Sequence, residues 1–339
     1  MRNTKIDLLR FIGLFMIILA HCSPPSALFQ IRNFDVPLMV FISGISFKLS
    51  FKRKDNYFGY VLKRIKRLVF PVWLFLSIYF SLRNFLFPES ISFSIIRDSF
   101  LLLSGIGYVW IVRVFLLVAL VAPLLLKAEK KINSNAQYFS IIISIFIAYE
   151  VFQLYSYNYF QSNSYLKFLS SIVFYIIPYS LIYMLGIRTN NLSRIQVKKT
   201  LVLFLTIFTV SCIYFYVKQG RFVSTQLYKT PISTYYLSYA LSVSYTLWLL
   251  ANTIWNRLNK PLRKIILFIS SNSIWIYLWH ILFISVIHQL DIYFFIEYIL
   301  VLFFAIGVTF LQVFVLEKII LCNISNIKVK GNLRTLLKG

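Results

Sequence analysis

An all-α, polytopic bundle of transmembrane helices is the fold class the sequence predicts, on three observations. Hydrophobic residues fill 59% of the 339 positions and charged residues 13%, with mean hydropathy +0.77. A soluble domain carries roughly twice that charge fraction. The apolar residues gather into runs of near-spanning length. The basic residues fall mainly in alternate gaps between those runs, as insertion from a cytoplasmic side requires.

In order, the runs cover residues 8–22, 34–50, 68–87, 105–126, 137–156, 167–187, 200–217, 231–251, 267–287 and 294–317. About ten helices place both termini on one side. That side collects most of the 35 Lys and Arg: Arg2, Lys5 and Arg10, then Lys48, Lys52 to Lys54 and Lys63 to Arg67, then the clusters near 127–131, 188–199 and 257–264. Lys318 to Lys338 add to it. The asymmetry assigns both termini to the cytoplasm. The chain divides into a membrane domain, 1–320, and a basic cytoplasmic tail, 321–339. Met1 to Leu9 is read as no cleavable signal, because the first apolar run continues past it.

Net charge is +25, but its placement between apolar runs argues against a nucleic-acid partner. Membrane lipid is the surrounding medium. Cys22, Cys212 and Cys322 are far apart and show neither pairing nor metal spacing, so no metal is expected. The outer loops are short, which speaks against a polysaccharide polymerase. An exporter or flippase of a lipid-linked sugar stays open as an alternative, although no internal repeat is evident.

Ionisable groups inside apolar runs usually mark a pathway or a catalytic centre. Arg10 and His21 are eleven residues apart in the first run. At about 100° per residue this is roughly 20° past three turns, so both are expected on one helix face, about 16 Å apart. An imidazole near its ordinary pKa is suited to taking a proton from a hydroxyl. Asp35 opens the second run at similar depth, where it complements the helix dipole and is expected to orient His21. Ser43-Gly44, in mid-run, signals a close neighbouring helix or ligand. Arg64 and Arg67, spaced i,i+3, present two guanidinium groups suited to phosphate. Trp110 and Arg113 lie in the fourth run, and Arg113 requires a partner, with Asp35, Glu150 and Glu297 as candidates. His280 ends the Tyr277-Leu278-Trp279-His280 string of the ninth run, whose aromatics suit either the membrane interface or a sugar ring.

Taken together these motifs resemble the acyltransferase-3 family of membrane acyltransferases. The resemblance rests on Arg-x10-His at Arg10 and His21, on Pro37-Leu38-x-x-Phe41-Ile42-Ser43-Gly44, on Arg64-x-x-Arg67 followed by Pro71, and on Tyr277 to His280. It covers the first 71 residues, a fourth-helix Trp and the ninth helix. Met39-Val40 stands where relatives often have Phe-Phe. An appended hydrolase-like domain that some relatives carry is not seen. The resemblance implies transfer of an acyl group, usually acetyl from acetyl-CoA as co-substrate, onto a sugar hydroxyl of a surface glycan or lipid-linked oligosaccharide, as in O-antigen O-acetylation. It implies His21 as the catalytic histidine, Arg10 as the first-helix arginine, and Arg64 and Arg67 as contacts for CoA phosphates. It also implies a bacterial cytoplasmic membrane location. Cys22, adjacent to His21, points elsewhere on the helix and is disfavoured as nucleophile.

Overall fold

A computed structural model of the chain describes residues 2–51, 56–86, 91–103 and 105–338. The basic residues Lys52, Arg53 and Lys54 lie outside them. The helices, in chain order, are α1 (Thr4–Leu19), α2 (Ser26–Ile31), α3 (Asp35–Ser50), α4 (Tyr57–Leu86), α5 (Phe93–Phe100), α6 (Trp110–Lys131) and α7 (Asn135–Phe160). They continue as α8 (Ser164–Thr189), α9 (Arg194–Gln219), α10 (Thr234–Arg257), α11 (Lys260–Ser271), α12 (Ser273–Ile287), α13 (Phe294–Val315) and α14 (Ile327–Leu337). No strand occurs among the described residues. The fold is a polytopic helical bundle.

Each of the ten apolar runs overlaps a helix, and eight helical segments among the described residues are long and apolar enough to cross a membrane. α1 falls short at 16 residues. α10 has the length, at 24 residues, but Ser, Thr and Tyr dilute its hydropathy. Many helices outrun the apolar segment that announced them. α4 begins at Tyr57 rather than near 68, so Lys63 to Arg67 are helical and not in a connection. Hydropathy reports where side chains match lipid, whereas Lys and Arg are good helix formers and carry the backbone helix onward into the interface.

Two compact units divide the chain. The first comprises residues 1–13, 26–53 and 117–258, so it holds the start of α1, α2, α3, the end of α6, and α7 to α10. Its central contact is α3 against α8. A Cβ on Gly44 would run into the Tyr183 carbonyl oxygen and lie 3.2 Å from Ile187 N, while a Cβ on Gly186 would strike the Phe41 carbonyl oxygen. The two glycines let the backbones touch, the small-residue device that membrane helices use where lipid supplies no hydrophobic contrast. Gly44 therefore marks a neighbouring helix. A buried ion network also holds this unit: Glu129 Oε1 accepts from Lys48 Nζ at 3.0 Å, Arg188 Nη1 at 3.3 Å and Asn191 Nδ2 at 3.4 Å.

The second unit comprises residues 14–25, 54–116 and 259–339. It contains the end of α1, α4, α5, the start of α6, and α11 to α14. The ninth run, read as one helix from Ser271, is broken: Asn272 ends α11 by turning its Nδ2 onto the Phe268 carbonyl at 2.7 Å, and α12 restarts at Ser273. α14 lies within the segment read as a basic tail. It is a docked element: Trp275 Nε1 donates to Leu336 O at 3.0 Å, Gln312 Nε2 to Leu337 O at 2.7 Å, and Trp279 Nε1 to Gln312 Oε1 at 2.8 Å. Arg334 adds a two-armed contact to Glu317. A short amphipathic basic helix carries no lipid-matching run, and so hydropathy passes over it. Mid-helix side chains such as Val210 (60% exposed) and Phe303 (69%) present the apolar surface that lipid covers.

Candidate active site

His21 lies two residues beyond the end of α1, not on it, which corrects the shared-face expectation with Arg10. Its N–H donates to Ile18 O at 3.0 Å, a three-residue step that tightens the helix end. Ser23 then takes a left-handed φ of +46°, and Pro24 and Pro25 prevent further helix. The imidazole is half-buried. Two rings enclose it: Tyr108 meets it edge-on at 4.7 Å between centroids, and His280 stacks at 5.4 Å with planes 30° apart. Tyr108 and His280 also touch each other edge-on at 5.9 Å.

Each enclosing ring is held in place. Tyr108 stands in the loop before α6, whose Gly105 (φ +41°) and Gly107 (φ +83°) adopt backbone that favours glycine. Its carbonyl accepts from Tyr277 Oη at 2.6 Å. Burial raises the Tyr108 phenol above its usual pKa, so it is a neutral O–H at working pH. His280 is fully buried on α12, and its Nδ1 bonds to the Tyr277 carbonyl. A carbonyl only accepts, so Nδ1 carries the hydrogen and Nε2 presents a bare lone pair in the neutral ring. That Nε2 is buried and has no hydrogen-bond partner among the described residues. Tyr277 thus anchors both neighbours of His21. Tyr298 Oη completes the surroundings by donating to Phe15 O at 3.2 Å, fastening α13 to the end of α1.

Asp35 has close partners of its own in the first unit. Its Oδ2 accepts from Arg32 Nη1 at 2.8 Å, with both side chains 2% exposed, and its Oδ1 from the Val36 N–H at 2.7 Å. Glu150 Oε2 takes both the N–H (2.8 Å) and the hydroxyl (2.7 Å) of Thr234 at the start of α10. Glu297 accepts from His288 at 3.0 Å. Arg113 and Trp110 both sit in the first turn of α6, half-buried. Ser43 donates within its own helix, to Met39 O at 2.8 Å, and so serves the backbone.

Arg10 belongs to the first unit, where it donates to Ser46 Oγ at 2.8 Å. Arg64 and Arg67 share α4 in the second unit with the His21 site; Arg64 lies over the Tyr60 ring at 5.0 Å and Arg67 is exposed. Among the described residues no group of three His, Cys, Asp or Glu has metal-binding geometry. Of the residues assembled at the site, the sequence reading missed Tyr108, although two glycines around it signalled a shaped loop. In the first unit it also missed Arg32, placed i,i+3 from Asp35.

The model for the acyltransferase domain of the acyltransferase-3 family matches residues 3–318. The chain belongs to that family. No curated protein and no solved structure matches it. Membership makes the protein a membrane acyltransferase, a transferase whose helices span the bilayer.

Proposed function

We propose that this membrane acyltransferase moves an acetyl group from cytoplasmic acetyl-CoA to a hydroxyl of a cell-surface polysaccharide or its lipid-linked precursor, in a bacterial cytoplasmic membrane with both termini in the cytoplasm. The observation that carries the reading is the His21 imidazole clamped by Tyr108 and His280 in a chain of this family. His21 accepts the proton of the acceptor hydroxyl as its oxygen attacks the thioester carbonyl. The O–C bond forms, the C–S bond breaks, and the proton passes from the imidazolium to the leaving thiolate, so that ester and CoA thiol are the products. Transfer is direct, with an acyl-His21 relay as the variant route.

Arg64 and Arg67 serve the donor's phosphates: two guanidinium groups on one face of α4, in the same unit as His21, suit bidentate contact with them. Arg113 and Trp110, in the first turn of α6 five and two residues from Tyr108, are assigned to the developing oxyanion and to the sugar.

The test is mass spectrometry of surface glycan from cells lacking the gene, complemented with wild type or His21→Ala. Acetyl groups restored by wild type alone support the reading. An unchanged acetyl pattern with altered glycan amount or length would overturn it in favour of export or flipping.

A further inference from the structure

The His21 enclosure has a property that acyl transfer alone does not supply. The catalytic step turns a neutral imidazole into a cation in a half-buried place, where desolvation opposes the charge. Three aromatic rings, His21, Tyr108 and His280, make mutual contact at 4.7, 5.4 and 5.9 Å. The Tyr277 carbonyl sets the His280 hydrogen on Nδ1 and leaves the Nε2 lone pair unmatched. The Tyr277 hydroxyl fixes the backbone of Tyr108. Electron-rich rings packed on an imidazole attract its cationic form more than its neutral form. Resting on the reading of His21 as the base, we propose that Tyr108 and His280 are positioning residues for His21. Their rings hold the imidazole in one orientation and stabilise its protonated state.

Other titratable groups face this place from the elements packed around it. They are Cys22 beside His21, Tyr79 on α4, Tyr277 on α12, and Glu297 and Tyr298 on α13. Glu297 is buried, acts electrostatically on both Cys22 and Tyr108, and is hydrogen-bonded to the exposed His288. A carboxylate so close to the enclosure has to be separated from the rings in any test.

The chain has three histidines, His21, His280 and His288, which makes nitrogen-15 labelling of histidine selective enough to follow each ring by NMR in detergent. Assignment uses the three single His→Gln variants. The His21 titration midpoint is then compared in wild type, Tyr108→Phe, Tyr108→Leu and Tyr108→Met, each also combined with Glu297→Gln. The ring-free variants are expected to lower the midpoint by about one pH unit, and Tyr108→Phe by less than about 0.3. The same difference persists with Glu297→Gln. Tyr108→Met fills the space without a ring and keeps the comparison open if Tyr108→Leu does not fold. A midpoint unmoved by loss of the ring, or moved equally by Tyr108→Phe, overturns the proposal. The readout needs no turnover. A retained activity in His21→Ala would sink the base assignment and leave the titration result standing, whereas an unmoved midpoint beside an inactive His21→Ala would sink the enclosure alone.

Discussion

Removing the Glu129 carboxylate tests how much the buried ion network contributes to the first unit. Glu129 is 2% exposed and its partners Arg188 and Lys48 are 7% and 17% exposed, so water compensates little when the pair is broken. Truncating one member of a buried pair costs about 3–5 kcal/mol, mostly through the charge left behind. Two features of the site reduce that figure. Arg188 keeps the Asn135 side chain at 2.8 Å, the Ile132 and Asn133 carbonyls at 2.9 Å each, and the Tyr138 ring at 4.9 Å. Lys48 lies near the end of α3 and has a long stem with which to reach solvent. We therefore expect Glu129→Ala to cost about 2–3 kcal/mol and Glu129→Gln, which keeps an acceptor, about 1 kcal/mol. At roughly 2 °C per kcal/mol for a chain of this size, Tm in detergent falls by about 5 °C and 2 °C respectively. Thermal unfolding followed by tryptophan fluorescence or size-exclusion recovery measures both. With Lys48→Met as the second arm, a double-mutant cycle isolates the pair. A Glu129→Ala protein melting within about 1 °C of wild type would refute the reasoning, because the network would then add specificity without stability.

Further outcomes follow from the packing and the site. Gly44→Ala forces α3 and α8 apart where their backbones touch, costing about 1–3 kcal/mol and lowering Tm, whereas Gly307→Ala on α13, which meets nothing within 4 Å, does not lower Tm. Arg64→Gln combined with Arg67→Gln raises KM for acetyl-CoA about 10- to 100-fold and leaves transfer from a short acetyl thioester without phosphates unaffected; equal losses on both donors would remove the phosphate assignment. As a base, His21 works only when neutral, so kcat/KM falls as pH is lowered through its titration and plateaus above it. A profile lacking that acidic limb contradicts the role. Truncation before Ile327 frees Trp275 and Gln312 from α14 and reduces thermal stability; an unchanged Tm would show that the docked helix contributes nothing.

The bundle was legible because hydropathy and basic clusters report directly on the bilayer, and every apolar run overlaps a helix. Its boundaries were less so. The Lys63 to Arg67 cluster interrupts hydropathy without interrupting the α4 backbone, and Asn272 breaks the ninth run by a side-chain bond that periodicity does not register. Residue types at the site were legible one by one. His21 and His280, 259 positions apart, were both named, but their stacking depends on tertiary packing. The Arg32–Asp35 pair escaped for the same reason: the two residues are only three positions apart, but depth along the membrane directed attention from Asp35 to His21. Tyr108 escaped because an aromatic in an apolar chain with 23 tyrosines is unremarkable until its neighbours are known.

The most direct test of the account is acetyl transfer in purified proteoliposomes supplied with labelled acetyl-CoA on one side and a glycan acceptor on the other. The account predicts that wild type moves label to the acceptor as an alkali-labile ester, and that His21→Ala, folded and inserted to the same extent, moves none. Transfer by His21→Ala at a rate close to wild type would contradict it.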